Sequence, residues 1–422
     1  KNDGDNGESR TADDERPVTQ TYRHVTMVQR LIGLYFRMAG SAMYDAIVVG
    51  AGVEGLYTAY HLAKLKQKTL VLEQFPLPHC RGSSHGQSRI TRMAYGDQDF
   101  YTVMMKEAYK LIEVLEKESG QQLFIQTGLL CIGQENDPIV RGSAASLQQH
   151  GIPHERFGTT ELQQKFPMMS FPDSFGFVLD QSGGILKADK ILQALQTQFK
   201  KYGGTLRDEE AMVNIDPGDS VTVQTTKGSY TAKSVILALG PWAPKFLSKL
   251  DLHLPLQPVR ISVCYWKEKT PGQHSVDKFP VFLMEGGGGD FAVYGLPSQE
   301  YPGLVKICLH TGPKIDPDDR DTVDNRWVMD SIQQYIQNHF PQLHPIPAVV
   351  ETCIYTNTPD HDFILDRHPQ WRNVIIAAGF SGHGFKLAPV VGKVLAELAM
   401  GAKPSYDLNP FRIDRFKNAS KL

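Results

Sequence analysis

Three glycines, Gly50, Gly52 and Gly55, follow a short apolar run and open a helical one, and Glu73 stands at the end of a second apolar run. The first glycine of such a GxGxxG turn permits the tight bend, the second admits a pyrophosphate, and the third lets helix pack on strand. A helix starting there points unpaired N–H groups and a positive dipole end at the phosphates. Glu73, about 20 residues further on, is where the ribose-binding acid of a dinucleotide fold belongs. The spacing alone does not separate NAD from FAD. A second set of reactive side chains lies far away: Lys306 and His310 in "YPGLVKICLHTG", where an alternating strand turns both to one side. Lys386 lies in "SGHGFKLAP", an apolar and glycine-rich setting in which a solvated charge is out of place.

The elements that must hold these groups are readable in outline. "YDAIVVG" reads as a buried parallel strand, "VEGLYTAYHLAKLK" as a helix and "KTLVLEQ" as a second strand, which together make a βαβ unit. "YTAKSVILALGPW" and "RNVIIAAGFSGHGFKLAPVVGKVLAELA" read as further pieces of the same layered sheet. "LHLPLQPVRISVCYWKE" and "FAVYGLPSQEYPGLVKICLHTG" alternate apolar and polar residues, as strands with one exposed or cavity-lining face do. The run Gly286 to Gly289 lacks the flanking strand and helix of a phosphate cradle and reads as a loop.

The chain has 422 residues, 41% apolar and 21% charged, with a formal net charge of -2. That composition is globular and offers no general attraction to nucleic acid or anionic membrane. The five cysteines (Cys80, Cys131, Cys264, Cys308, Cys353) are scattered without CxxC spacing, which argues against a disulfide framework or structural zinc. No apolar run approaches the ~20 residues of a membrane span, so the chain reads as a soluble protein, without a metal. The segment from Lys1 to about Ala42 reads as a disordered extension or sequence upstream of the true start, with Met38 or Met43 as candidate initiators. A mitochondrial presequence built on Arg23, Arg30 and Arg37 is disfavoured by the acidic cluster before it. Ser420, Lys421 and Leu422 form the peroxisomal address, which predicts an import receptor as partner and the peroxisome matrix as location.

Three separated motifs, "RGSSHGQSRITRMAYGD", "ETCIYTNTPDHDFILDRHP" and "AAGFSGHGFKLAPVVG", together resemble the monomeric sarcosine oxidase family of amine-oxidising flavoenzymes. The resemblance covers about Tyr44 to the C-terminus. It implies an α/β fold (α+β overall), a glutathione-reductase-like FAD-binding Rossmann domain interleaved with a mostly antiparallel-sheet substrate domain. The expected division is 1–43 extension, 44–124, 181–252 and 351–412 FAD domain, 125–180 and 253–350 substrate domain, and 413–422 tail.

The resemblance also implies roles. Cys353 matches the cysteine bonded through sulfur to the flavin 8α-methyl, where a buried inert thiol is the bland alternative. Arg92 and Lys386 match the pair holding the substrate carboxylate, a task for which an arginine fork is geometrically suited. Arg89 matches the residue set against the flavin ring, with His85 and Ser88 hydrogen-bonding near it. Gly382, His383 and Gly384 match the turn at the pyrimidine end, although His383 reads equally well as a turn residue without contact. Lys306 matches the lysine held near flavin N5 through water, where a cation favours electron transfer to dioxygen. His310, Tyr294 and Tyr355 match residues lining the substrate cavity. Ser88 stands where bacterial relatives carry threonine, and Asp97 where they carry glutamate, which weakens any expectation about substrate size. The implied activity is oxidation of a secondary α-amino acid (sarcosine, L-pipecolate or L-proline) by dioxygen to an imine and hydrogen peroxide, by a monomer. An N-methyl amino acid oxidase of other preference, a nicotinamide-dependent dehydrogenase and a catalytically silent flavin-binding protein are the rivals.

Overall fold

The computed structural model describes residues 43–96, 98–285 and 291–416. The N-terminal extension before Met43, Asp97, the Gly286–Gly289 run and the Ser420–Leu422 address therefore lie outside the described residues. From Tyr44 onward the chain forms one compact unit.

The strand Tyr44–Val49 lies inside an eight-stranded sheet, parallel to Thr69–Leu72 on one side and to Ser229–Leu237 on the other. Thr205–Arg207 continues the parallel order beyond Thr69–Leu72, and Val374–Ala378 runs parallel beside the C-terminal end of Ser229–Leu237. The apolar run explains this central position. Ala46 and Val48 point to one face, Ile47 and Val49 to the other, and none is more than 5% exposed. On the first face pack the helices Val53–Lys64, Asp99–Ser119, Ala188–Lys201 and Ala388–Ala399. Gly392 allows two of them to touch, because a Cβ there would lie 2.6 Å from the backbone carbon of Tyr57. Both halves of the predicted βαβ unit and the two later pieces of the sheet are thus present.

A second eight-stranded sheet runs in the order Leu343–Asn357, Gln257–Glu268, Leu304–Leu309, Ala292–Leu296, Val281–Glu285, Leu129–Gln134, Phe175–Asp180, His154–Gly158. It is antiparallel except where Val281–Glu285 meets Leu129–Gln134. The expected apolar–polar alternation of Gln257–Glu268 is not found, because both faces are covered. Cys264 and Trp266 pack with the helix Arg326–His339, while Ile261, Val263 and Tyr265 pack with Cys308 and Cys353. A third, three-stranded sheet pairs Ser88–Thr91 and Phe124–Gln126 with Gly184–Lys187. Leu343–Asn357 runs unbroken across the expected boundary at 350/351, carrying Cys353 on a strand of the second sheet. Among the described residues no helix is long and apolar enough to cross a membrane.

Candidate active site

Where the first strand ends, Gly50 adopts φ +104°, and a Cβ there would sit 2.2 Å from the Ala238 carbonyl oxygen. Only glycine makes that turn without strain. Gly55 is closed off as tightly, 2.0 Å from the Gly50 oxygen, so that the helix seats on the strand. The Ser84 hydroxyl accepts from the Val53 N–H at 3.0 Å and thereby ties the 81–88 loop to the helix N-terminus. Glu73 accepts from the Ala51 N–H at 2.9 Å and from the Phe75 N–H at 3.1 Å. Burial would raise its carboxyl, but His79 and these two N–H groups outweigh it and hold it below the ordinary range. Glu73 is therefore a fixed anion at the rim of the glycine turn.

A cavity of about 530 Å³ starts at this turn. Its lining includes Gly50, Gly52 and Glu73 of this turn together with His85, Arg89, Tyr355, Gly382 and Gly384. The Arg89 guanidinium is fixed by the carbonyls of Ser83 (2.8 Å), His85 (2.5 Å) and Ser88 (2.7 Å) and lies 5.4 Å from the Phe385 ring centre. Burial first, then the Arg89 charge, pushes His85 down to about 3, so its imidazole is neutral. Its Nε2 is buried without a partner among the described residues, an unmet polar atom that a bound ligand would satisfy. Gly382 (φ +77°) leaves no room for a side chain, because a Cβ would meet the Tyr355 ring at 2.7 Å. Ser381 next to it is a non-glycine residue at φ +45°, held by the Thr358 N–H on its hydroxyl (3.2 Å) and by its own N–H on Thr356 O (3.0 Å). Cys353 is 6% exposed, with Sγ 3.6 Å from the carbonyl of Ser83, which lines the cavity.

Beyond Tyr355 lies a cationic group. The Arg92 guanidinium is 4.8 Å and the Lys386 ammonium 5.5 Å from the centre of the same Tyr95 ring. Among the described residues, neither has a carboxylate in ion-pair range. Burial, then the Arg92 charge, drives Lys386 well below the ordinary lysine range. The His310 ring lies 5.0 Å from that of Tyr355 and 5.7 Å from that of Tyr294, and its Nδ1 is 3.3 Å from the Tyr355 hydroxyl. Burial, Lys386 and Arg92 push His310 down to about 4. The electrostatics read as a site short of one anion.

Three of the predicted site residues turn their polar atoms to protein partners. His383 does not line the cavity: its Nε2–H donates to the His361 carbonyl at 3.1 Å, which leaves Nδ1 to accept from the Tyr95 hydroxyl at 3.2 Å. Its ring packs on Phe363, 4.5 Å away. Ser88 turns its hydroxyl to the Glu300 carboxylate rather than into the cavity. Lys306 donates to Glu300 at 3.0 Å and to Ser88 Oγ at 3.3 Å. Tyr95 and Glu300 were not foreseen. Tyr95 follows Arg92 by three positions inside a motif already singled out, whereas Glu300 lies in a strand connection with no periodic signal.

A glycine cradle that side chains would fill, an acid at its rim, an orphaned imidazole nitrogen and a cavity leading to a cationic pocket fit FAD. The family of FAD dependent oxidoreductases matches residues 45–398, and the chain belongs to it. Within that class the chain is a member of the sarcosine oxidase family, flavin oxidoreductases acting on CH–NH donors. It is 50% identical over 383 residues to the human peroxisomal sarcosine oxidase, covering 90% of this chain and 98% of that protein. The monomeric sarcosine oxidase of Bacillus sp. (strain NS-129) is 35% identical, over 89% of this chain and 97% of its own length. Among solved structures, the open form of NikD, an unusual amino acid oxidase essential for nikkomycin biosynthesis, superposes with a TM-score of 0.78 at 25% identity. It covers 88% of this chain and 97% of that one.

Proposed function

We propose that the protein oxidises a secondary α-amino acid (sarcosine, L-pipecolate or L-proline) to its imine, with dioxygen as acceptor and hydrogen peroxide as product, in the peroxisome matrix. FAD, bonded through Cys353, supplies the two-electron acceptor. The first sheet and its helices would serve as FAD domain (44–124, 181–252, 351–412) and the second sheet as substrate domain (125–180, 253–350), in a monomer delivered by the receptor that reads Ser420–Leu422. The observation that carries this reading is the pair Arg92 and Lys386 beside the Tyr95 ring, without a carboxylate partner among the described residues.

A substrate carboxylate entering between them accepts charge-assisted hydrogen bonds, the strongest class available to a side chain. It also relieves Lys386, whose charged form is otherwise disfavoured by burial and by Arg92. The carboxylate anchors one end of the substrate, and Tyr355, Tyr294 and His310 surround the other. An amine yields a hydride equivalent only when its nitrogen is unprotonated. Burial first, and then the charges of Lys386 and Arg92, hold His310 neutral, and the same surroundings disfavour a substrate ammonium and favour loss of its proton. Arg89, fixed by three carbonyls, brings positive charge to the cavity wall without spending it on a carboxylate.

The deciding experiment is a peroxide assay of the flavin-loaded protein with sarcosine, L-pipecolate, L-proline and a primary amino acid. Peroxide from at least one secondary amine, exceeding that from the primary one, is the expected result. Peroxide from none of them would sink the proposal.

A further inference from the structure

Lys306 does not end at Glu300. The Glu300 carboxylate accepts from Lys306 Nζ and Ser88 Oγ on one oxygen and from the Tyr265 hydroxyl at 2.8 Å on the other. The Tyr265 hydroxyl is also 3.3 Å from Glu351 Oε2, whose second oxygen accepts from the Tyr301 hydroxyl at 2.5 Å. The inner members are sealed: Tyr265 is 1% exposed, and the side chains of Glu300 and Lys306 are 5% and 7% exposed. Glu351 and Tyr301 are half-buried and reach the surface. The series is thus a row of hydrogen-bonding groups leading from solvent to the ammonium of Lys306. At its inner end Ser88 precedes Arg89, which lines the cavity, and the Lys306 charge is close enough to contribute to the depression of His85.

Polarity along the row is informative. Tyr265 has one proton, and the shorter contact assigns it to Glu300. A bond between Tyr265 and Glu351 then requires the proton to come from Glu351. Each time Glu351 is protonated from solvent, donors and acceptors line up inward, Glu351 to Tyr265 to Glu300. Burial alone would raise the Glu300 carboxyl, but Lys306, Ser88 and Tyr265 outweigh it and keep the resting group ionised and ready to accept.

We propose that Glu351, Tyr265 and Glu300 relay a proton from the surface at Tyr301 to Lys306, and that this proton completes hydrogen peroxide. The inference rests on the oxidase reading above. Oxidation of the neutral CH–NH group to an iminium releases two electrons and one proton, in sum a hydride. Dioxygen taking up that hydride becomes hydroperoxide anion, HOO⁻, which is one proton short of the neutral product. Lys306 gives a proton to HOO⁻, forming H₂O₂ and a neutral amine. Glu300, protonated by Tyr265 as Tyr265 is reprotonated by Glu351, returns a proton to Lys306. Solvent supplies one proton per turnover, and every relay group ends as it began. Glu300, Tyr265 and Glu351 act through Lys306 and are positioning residues.

The test uses the flavin-loaded enzyme, reduced anaerobically by whichever secondary amine yields peroxide and then mixed with dioxygen in a stopped-flow instrument. Tyr265→Phe leaves the Lys306–Glu300 pair in place but removes the hop. Bleaching by the amine should be unchanged, while reoxidation slows about 10-fold or more, acquires a solvent deuterium isotope effect and is restored by added formic acid. Glu351→Gln, at the half-buried end where folding is least at risk, should act in the same direction. A readout without turnover is the infrared spectrum of the resting protein during acid titration. A carboxylic-acid carbonyl band should vanish in Glu351→Gln and shift in Tyr265→Phe, the titratable neighbours of Glu351 being Tyr265, Tyr301 and, behind Tyr265, Glu300. Reoxidation within twofold of the parent in both variants, with no isotope effect and no rescue, would overturn the relay while leaving the oxidase reading intact. Absence of peroxide in the parent protein would remove the oxidase reading itself.

Discussion

The glycine-turn end of the cavity and the cationic end beyond Tyr355 are built on different principles. At the glycine turn, backbone does the recognising: Gly50, Gly52 and Gly55 clear space, the helix start offers N–H groups, and one acid, Glu73, is fixed by two further backbone donors. All of this comes from about 25 consecutive residues. In the group beyond Tyr355, side chains dominate, and they arrive from four places in the chain: Arg92 and Tyr95, His310, Tyr355, and Lys386. A contiguous backbone site suits a ligand common to many proteins, whereas an assembled side-chain site can be altered one residue at a time. The first end defines the cofactor class and the second the chemistry performed with it.

The sharpest way to break this contrast is at Cys353, the proposed point of flavin attachment. Cys353→Ser should turn acid-resistant flavin wholly into flavin released on acid precipitation, read by absorbance of pellet and supernatant. Flavin retained in the pellet removes Cys353 as attachment point. Gly50→Ala tests the backbone end. A Cβ 2.2 Å from Ala238 O at a positive φ forces the strand end apart, and left-handed strain alone costs about 1–2 kcal/mol. Flavin content and melting temperature should both fall, and normal flavin content would show that the turn is not the cradle. Arg92→Met tests the side-chain end. Loss of a charge-assisted hydrogen bond worth about 1.5–3 kcal/mol should raise the substrate KM roughly 10- to 100-fold, with flavin content unchanged. An unchanged KM would take Arg92 out of the substrate site.

The smallest effect is on stability against pH. His61, His85 and His310 are half-buried and held at about 4, about 3 and about 4, against about 6.5 in an unfolded chain. Below that value the unfolded chain binds protons that the folded one refuses, so stability declines as pH falls. The contribution is complete above about 6.5 and drains away toward about 4 and then 3. Melting temperatures across pH 7 to about 4 should decline gradually, and His310→Asn should flatten the profile. A profile level down to about pH 4.5 would show that these imidazoles are more accessible to protons than their packing indicates.

How much of this was readable from the sequence follows the same contrast. The βαβ unit and its acid were legible because strand period, glycine spacing and helix period all fall within one short window. The two-faced burial of Gln257–Glu268 was not, since it depends on the helix Arg326–His339, some sixty residues later, covering one face. Lys306 was recognised by its motif, but its partner Glu300 was not, because nothing local marks an acid in a strand connection as buried. His383 shows the limit from the other side. Its position in the glycine turn was clear, yet the direction of its ring was decided by Tyr95 and the His361 carbonyl, distant residues brought up by folding.

The strand Leu343–Asn357, paired along most of its length with Gln257–Glu268, carries Cys353 in one sheet, while Gly50 and Glu73 belong to the other. A ligand gripped by the glycine turn and bonded to that strand becomes a brace between the two sheets. The loaded protein should then melt as a single block and resist proteases that nick the empty form, with the prosthetic group acting as a structural member of the enzyme.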